Sequence, residues 1–263
     1  MKLGPIGLVF FVAACASNES SHRPTPSPKA TEVASVDALL RIAATTRAGG
    51  NLVSAASIYQ RAHDRAPQRT EPLFELGITL RAANANSKAV EAFHAVLEIE
   101  PSHAGALKAL ARTLLDLDQP QPAFEAFEKL SQLDPANVSA LNGMGVARDH
   151  SSDHKAAQIY YRKALVRSPD NISVRSNLGL SLALAGNYDA AITLLKDVTT
   201  DIRATSRERQ NLALAYGLAG DFEAAERVGR IDASDAVVQN NLAYYRHLQT
   251  LSNAARANSA MTR

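Results

Sequence analysis

Small, apolar and proline residues recur along this chain with a period of 34 residues. One position is alanine in six successive copies, at Ala55, Ala89, Ala123, Ala157, Ala191 and Ala225. A second is always small, at Ala43, Gly77, Ala111, Gly145, Gly179 and Ala213. A third is bulky, at Tyr59, Phe93, Phe127, Tyr161 and Leu195, and a fourth is proline, at Pro67, Pro101, Pro135 and Pro169. Because alanine is abundant and apolar alternation of period two is absent, the pattern predicts helix–turn–helix units with no strands.

Each recurring position has a physical role in such a unit. The small residue lies midway along the first helix and the alanine lies early in the second, so the two backbones can approach closely. The bulky residue fills the space towards the next repeat, and the proline ends the second helix because it has no N–H to continue the hydrogen-bond ladder. The turn between the helices carries residues that favour turns, namely Gly50, Asn84, Asp118, Ser152, Gly186 and Gly220.

This pattern resembles the tetratricopeptide repeat. The resemblance implies an all-α solenoid with a concave inner face, made of about six repeats over residues 36–232. The approximate copies are 36–69, 70–103, 104–137, 138–171, 172–205 and 206–232. The fifth copy has Arg203 where proline is due, and the sixth has Gly229 at the bulky position. Since a repeat stack needs a cap at its end, we expect a capping helix in residues 233–251 and a frayed tail over 252–263.

The amino-terminal run MKLGPIGLVFFVAA, residues 1–14, has a basic start and an apolar stretch that ends in small residues, as a secretory signal does. It is too short to span a bilayer, which takes about 20 apolar residues. Val12 to Cys15 resembles the lipobox of bacterial lipoproteins, where the signal is cut before the cysteine and the thiol receives a diacylglyceryl group. An ordinary signal cut around Ala14-Cys15-Ala16 is the alternative. Cys15 is the only cysteine and has no disulfide partner, so we predict that it is the lipid attachment site.

The lipoprotein resemblance also implies a location. In such lipoproteins an aspartate after the cysteine favours the inner membrane, and here Ala16 follows instead. The expected location is therefore the periplasmic face of the bacterial outer membrane. Residues 15–35 are rich in serine, proline and threonine, and we interpret them as an extended tether between the lipid and the folded body.

Charge and motifs favour a binding protein over an enzyme. A net charge of +2 and a pI near 8.7 are too mild to indicate a nucleic-acid partner. The sequence has no glycine-rich phosphate loop, HExxH, GxSxG or paired cysteine ligands, so we expect no catalytic residue, no cofactor and no metal. The sixth repeat is locally basic, through Arg203, Arg207, Arg209, Arg227 and Arg230. We interpret these arginines as an ordinary charged face, with contact to acidic lipid or an acidic partner as the alternative.

One cluster, DHSSDH, carries possible metal ligands, namely Asp149, His150, Asp153 and His154. It straddles a predicted turn, where polar residues belong in any case. We interpret it as a solvated turn, and a metal site is the alternative.

The inner helices of such a solenoid offer their non-packing positions to partners. These positions are Phe74, Ile78, Arg81, Lys108, Arg112, Asn142, Val146, Asp149, Asn177, Leu180, Gln210, Asn211 and Leu214. They predict a groove with an apolar floor and a basic middle, suited to an extended peptide or helix of apolar and acidic character. Asn177 and Asn211 also occur at a position where asparagine is common in the repeat. The Lys and Asn pattern with which some repeat proteins clamp a C-terminal carboxylate is not matched.

The stretch Arg209 to Leu248 resembles the end of TadD lipoproteins of the tight-adherence (Flp) pilus system. That family combines a final repeat of the form QNLALAYGLxGxFxxAE, an acidic break and an N-x-AYxR helix, here at 210–226, 231–235 and 241–246. The resemblance implies a pilotin-like partner of the outer-membrane secretin or of another pilus component. A general periplasmic adaptor lipoprotein, recruiting cell-wall hydrolases or another envelope complex, is the alternative.

Overall fold

The computed structural model describes residues 28–261, with side chains described over residues 36–251. Within that range the chain forms thirteen α-helices and no strand. The bounds are α1 Pro28–Ala48, α2 Leu52–Arg65, α3 Thr70–Ala82, α4 Asn86–Ile99, α5 Ala104–Asp116, α6 Pro120–Leu133, α7 Val138–His150, α8 His154–Arg167, α9 Ile172–Leu184, α10 Tyr188–Thr200, α11 Ser206–Ala219, α12 Phe222–Gly229 and α13 Asp235–Met261. Twelve helices form six successive pairs and α13 follows them, so the predicted solenoid of about six repeats is confirmed.

Local sequence sets where the helices begin and end. The recurring prolines lie just beyond the second helix of a pair, as Pro101 lies beyond α4 and Pro135 beyond α6. Two residues after three of the four prolines, the side chain of His103, Asn137 or Asn171 caps the next helix, whereas Arg69 makes no such cap. The Asn137 side chain accepts a hydrogen bond from the Ala140 N–H at 3.0 Å, and Asn171 accepts one from Val174 at 3.1 Å. Helix stop and helix start are therefore encoded within three residues.

The turn inside each pair requires a left-handed backbone. Asn84, Asp118 and Ser152 have φ of 58°, 54° and 59°, and the three turn glycines have φ between 84° and 90°. Glycine, asparagine and aspartate adopt this conformation at low cost, while Ser152 is the less usual occupant. The expectation of a turn at these positions is confirmed.

In the three repeats where the small residue of the first helix is glycine, it packs against the bulky residue of its own pair. A Cβ added to Gly77 would be 2.5 Å from the Phe93 ring, and one added to Gly145 would be 2.5 Å from the Tyr161 ring. Overpacking of this kind costs about 1–3 kcal/mol. The bulky residue was expected to fill space towards the next repeat, and Phe93 does pack with Ala109 and Leu110 of α5. It also fills the space inside its own repeat, which that expectation missed.

Two layers of helices follow from the packing. The odd-numbered helices contact one another in the series α3, α5, α7, α9, α11 and α13, whereas the even-numbered helices make their main contacts with their neighbours in the chain. The odd-numbered helices are therefore the closer-spaced, inner layer of a curved solenoid, and the even-numbered helices form the outer layer. The inner face is the concave groove.

The two ends differ in detail from the predicted boundaries. Helix α1 begins at Pro28, inside the segment interpreted as tether, and α13 continues past Leu251 to Met261, through the segment interpreted as a frayed tail. Alanine-rich sequence without proline or glycine explains the extension of α13. Helix α12 is the shortest at 8 residues, because Gly229 ends it. The described helices include none that is both long and apolar enough to cross a membrane.

Candidate protein-binding groove

The amino-terminal part of the groove is largely occupied by the protein's own contacts. Phe74 is half-buried, with its ring centroid 5.1 Å from that of His103 and 6.1 Å from that of Phe93. Ile78 is half-buried against the same core. Arg81 forms an ion pair with Asp116, at 2.8 Å. This end therefore offers an apolar floor, and its arginine is already neutralised.

The middle of the groove is basic. Lys108 and Arg112 lie one turn apart on α5, and both are exposed. In the part of the chain that the structure describes, neither side chain has an ion-pair or hydrogen-bond partner. Two adjacent cations without acidic partners produce a positive potential that attracts acidic segments.

A chain of polar side chains then crosses three inner helices. The Asn177 side chain of α9 donates to Asn142 Oδ1 of α7, with an N–O distance of 3.0 Å. Arg207 of α11 donates to Asn177 Oδ1 at 2.7 Å. Farther along, Asn211 donates to Ser176 Oγ at 2.9 Å. Asn177 and Asn211 thus link neighbouring repeats, and the bracing role considered for them from the sequence is present.

An open pocket lies beside this polar chain. It has a volume of about 410 Å³ and is lined on its apolar side by Val146, Leu180 and Leu184, and on its polar side by Asn177 and Arg207. Of the predicted groove residues, the structure brings four together here, namely Val146, Asp149, Asn177 and Leu180.

The last predicted residues lie on α11. Gln210 is exposed and Leu214 is half-buried against the core that α11 shares with α13. They continue the inner face towards the end of the solenoid, so the predicted residues are spread along the groove rather than gathered in one site. Their contribution to binding stays a prediction.

Asp149 and His154, half of the DHSSDH cluster, do not form a solvated turn. The Asp149 side chain is 13% exposed, and its carboxylate accepts hydrogen bonds from the Tyr161 hydroxyl at 2.8 Å and the Ser181 hydroxyl at 2.7 Å. His154 Nδ1 lies 2.8 Å from the same carboxylate. Burial, and after it the charge of Asp149, raises the pKa of Tyr161, so its hydroxyl remains a donor. The interpretation as a solvated turn is wrong for these two residues, because Ser181 of the next repeat closes over them.

The other half of the cluster fits the turn interpretation. His150 is exposed, and the exposed Asp153 caps α8 by accepting from the Ala156 N–H at 3.1 Å. Over the residues that the structure describes, no three histidine, cysteine, aspartate or glutamate side chains are grouped as metal ligands. Cys15 lies outside the described residues.

Most of the positive charge predicted for the sixth repeat is neutralised by nearby carboxylates. Four of its five arginines form ion pairs, namely Arg203 with Asp201, Arg209 with Asp232, Arg227 with Glu223 and Arg230 with Glu226. Arg207 is the exception, since its partner is the neutral amide of Asn177.

Sequence reasoning did not place Arg207 or Leu184 in the groove. Both are spaced one or two helical turns from residues that it did place there, Leu214 and Leu180, and helical periodicity could have found them. The polar network of Asp149 could not be found in that way, because it joins side chains of three separate helices, α7, α8 and α9.

Helical pairs stacked into a curved solenoid with an open inner groove define a class of proteins that bind other proteins on the concave surface. The sequence model of the tetratricopeptide-repeat family matches residues 74–138, 108–172 and 151–206, which together make up half of the chain. The chain belongs to the tetratricopeptide-repeat family, whose fold is typically a non-catalytic scaffold for protein–protein interaction.

Solved structures show the same fold. A tetratricopeptide-repeat protein from Parabacteroides merdae is similar with a TM-score of 0.67 at 15% identity, over 80% of this chain and 84% of that one. PilF of Pseudomonas aeruginosa has a TM-score of 0.62 at 16% identity, over 81% and 99%. MamA from Desulfovibrio magneticus RS-1 has a TM-score of 0.59 at 22% identity, over 63% and 93%. No curated protein matches the chain.

Proposed function

We propose that this protein is an outer-membrane lipoprotein that acts as a pilotin-like assembly factor for the secretin of a tight-adherence (Flp) pilus. The observation that carries the pilus assignment is the likeness of Arg209–Leu248 to the end of TadD lipoproteins. In the structure this stretch forms α11, α12 and the start of α13, packed together as one unit in which Tyr245 lies against Gly217.

Three parts of the chain have separate roles in this proposal. Acylated Cys15 attaches the protein to the membrane, since several acyl chains at ~0.8 kcal/mol per methylene give lasting attachment. The tether gives reach, and the solenoid binds a segment of the secretin or of another pilus component. No covalent chemistry is needed beyond the maturation of the lipoprotein.

The groove supports the binding role through its composition. Lys108 and Arg112 are exposed cations without acidic partners in the described part of the chain, and Val146, Leu180 and Leu184 offer apolar surface on the same face. An extended segment or amphipathic helix with acidic and apolar side chains matches this surface in charge and polarity.

The test is secretin assembly in a strain that lacks the gene. Heat-resistant secretin multimers in the outer membrane should fall without the gene and return with the wild-type copy. A Cys15→Ala copy should fail to restore them because the anchor is lost. A Lys108→Glu/Arg112→Glu copy should also fail, because the groove would repel an acidic segment.

A matched control separates groove charge from surface charge in general. Lys163 and Arg167 are exposed, lie one turn apart on the outer helix α8, and carry the same two charges. The Lys163→Glu/Arg167→Glu copy should restore multimers fully. Unchanged multimers in the deletion strain would overturn the pilotin role and favour a general periplasmic adaptor.

A further inference from the structure

The pocket between α7, α9 and α11 combines one available positive charge with apolar surface. Arg207 is exposed and donates to Asn177 Oδ1, which uses part of a guanidinium that carries five N–H donors. Among the described residues, no carboxylate lies within ion-pair distance of Arg207, in contrast to the nearby Arg203, Arg209, Arg227 and Arg230. The charge of Arg207 is therefore available to a ligand.

Asp149 also lines the pocket, and its carboxylate is already satisfied. It accepts hydrogen bonds from Tyr161 and Ser181, at 2.8 and 2.7 Å, and lies 2.8 Å from His154 Nδ1. Three donors within the protein leave this carboxylate poorly placed to bind a cationic ligand. The remaining hydrogen-bonding capacity of the pocket lies with Arg207 and with the exposed His150, whose Nδ1 is 4.0 Å from Asp118 Oδ1. Arg207 supplies the permanent charge, so the pocket is matched to an anion.

The opposite side of the pocket is apolar. Leu184 is 42% exposed, a high value for leucine in a helix that packs on both sides, and Val146 and Leu180 are half-buried beside it. A volume of about 410 Å³ is roughly that of a cube with edges of about 7 Å, and residues i and i+2 of an extended segment, whose side chains point the same way, are also roughly 7 Å apart.

We propose that this pocket recognises an aspartate or glutamate side chain in an extended partner segment, with an aliphatic side chain two residues away. Arg207 binds the carboxylate, and Val146, Leu180 and Leu184 contact the aliphatic group. This inference rests on the proposed function, because it assigns the chemistry of the segment that the groove binds. A side-chain carboxylate is favoured over a C-terminal one, since the Lys and Asn clamp pattern is not matched.

A library of random 12-residue peptides tests the assignment. The peptides are displayed on phage without a free C-terminus and selected against the full-length protein, purified in detergent. The enriched peptides should carry Asp or Glu two residues from Leu, Ile or Val. Their affinity should fall about tenfold or more on Arg207→Gln, as expected for loss of a charge-assisted contact.

Arg203→Gln is the matched control. Arg203 is an exposed arginine four residues from Arg207, and it is paired with Asp201 inside its own loop. This variant should bind the selected peptides as the wild type does, and Leu184→Ser should weaken the preference for the aliphatic residue while keeping the acidic one.

Each other outcome overturns a defined claim. Enriched peptides without an acidic residue, or with equal affinity for Arg207→Gln, would overturn this inference and leave the binding groove intact. Enrichment only from a library with free C-termini would overturn it in favour of a terminal carboxylate. If no peptide is enriched over empty beads, both the inference and the proposed groove function fail.

Discussion

Asp149 is the residue on which three side chains of the central repeats converge, those of His154, Tyr161 and Ser181. Its carboxylate joins Tyr161 of its own repeat to Ser181 of the next, with His154 at the same oxygen as Ser181. Burial makes such a network costly to break, because each donor would be left without a partner in a region that excludes water. The contribution of Asp149 is therefore to stability and to the alignment of α7, α8 and α9.

Replacing Asp149 by asparagine should lower the free energy of unfolding by about 2–4 kcal/mol, because the new amide group faces hydrogen-bond donors. Urea denaturation followed by circular dichroism measures the change. Asp153→Asn is the control, since asparagine caps a helix as well as aspartate does and should cost almost nothing. Equal effects of the two substitutions would contradict the network.

Glu208 gives the protein a defined dependence on pH. Burial raises the pKa of this carboxyl, but hydrogen bonds from the Thr205 hydroxyl and N–H, at 2.6 and 2.9 Å, outweigh burial and leave the pKa below its ordinary value of 4.5. A carboxyl with a lowered folded-state pKa adds stability above its unfolded-state pKa, and this stability is lost as the pH falls through the folded-state value.

The wild type should therefore be more stable than Glu208→Gln at neutral pH, and the difference should shrink as the pH falls below about 4.5. Urea denaturation between about pH 3 and 7 measures this difference. Glu223→Gln, on an exposed carboxylate of α12, should give the wild-type profile. A difference that stays constant, or grows in acid, would refute the role of Glu208.

At the scale of the elements, α13 takes the place of the helix pair that would follow the sixth repeat. Val238, Leu242 and Tyr245 are buried against α11 and α12, where Gly217 and Gly229 leave room for Tyr245 and Val238. The helix could be predicted from the sequence because its apolar residues recur with helical spacing. Its length could not, since alanine-rich sequence past Leu251 carries no stop signal.

Ending the chain after Asp232 should lower the melting temperature on the order of 10 °C and promote association, because three buried side chains are lost and their partners are exposed. Thermal denaturation and size-exclusion chromatography measure both effects. A chain that ends after Leu251 keeps these contacts and should match the full-length protein. If the chain that ends after Asp232 has the same melting temperature and elution volume as the chain that ends after Leu251, α13 is not the cap.

For the whole molecule, the repeat pattern made the solenoid architecture predictable from the sequence. The charge and polarity of the groove were predictable only in part. The 34-residue period can be identified in the sequence directly. The turn positions, such as Gly186, can be identified as well, because they depend only on the local backbone preferences of single residues. Whether a basic side chain in the groove lacks an ion-pair partner depends on contacts with residues that are distant in the sequence. Arg81 and Arg112 were both expected to face the groove from inner helices, yet Arg81 is paired with Asp116 and Arg112 is exposed without an ion pair in the described structure.

The central claim is that the concave face binds the partner, and site-specific photo-cross-linking in living cells tests it most directly. A photoreactive residue is placed at Gln210, exposed on the inner helix α11, or at Ile159, which is 52% exposed on the outer helix α8. The account predicts an adduct with the secretin from Gln210 and none from Ile159. An adduct from Ile159 alone, or a secretin adduct from neither position, would contradict it.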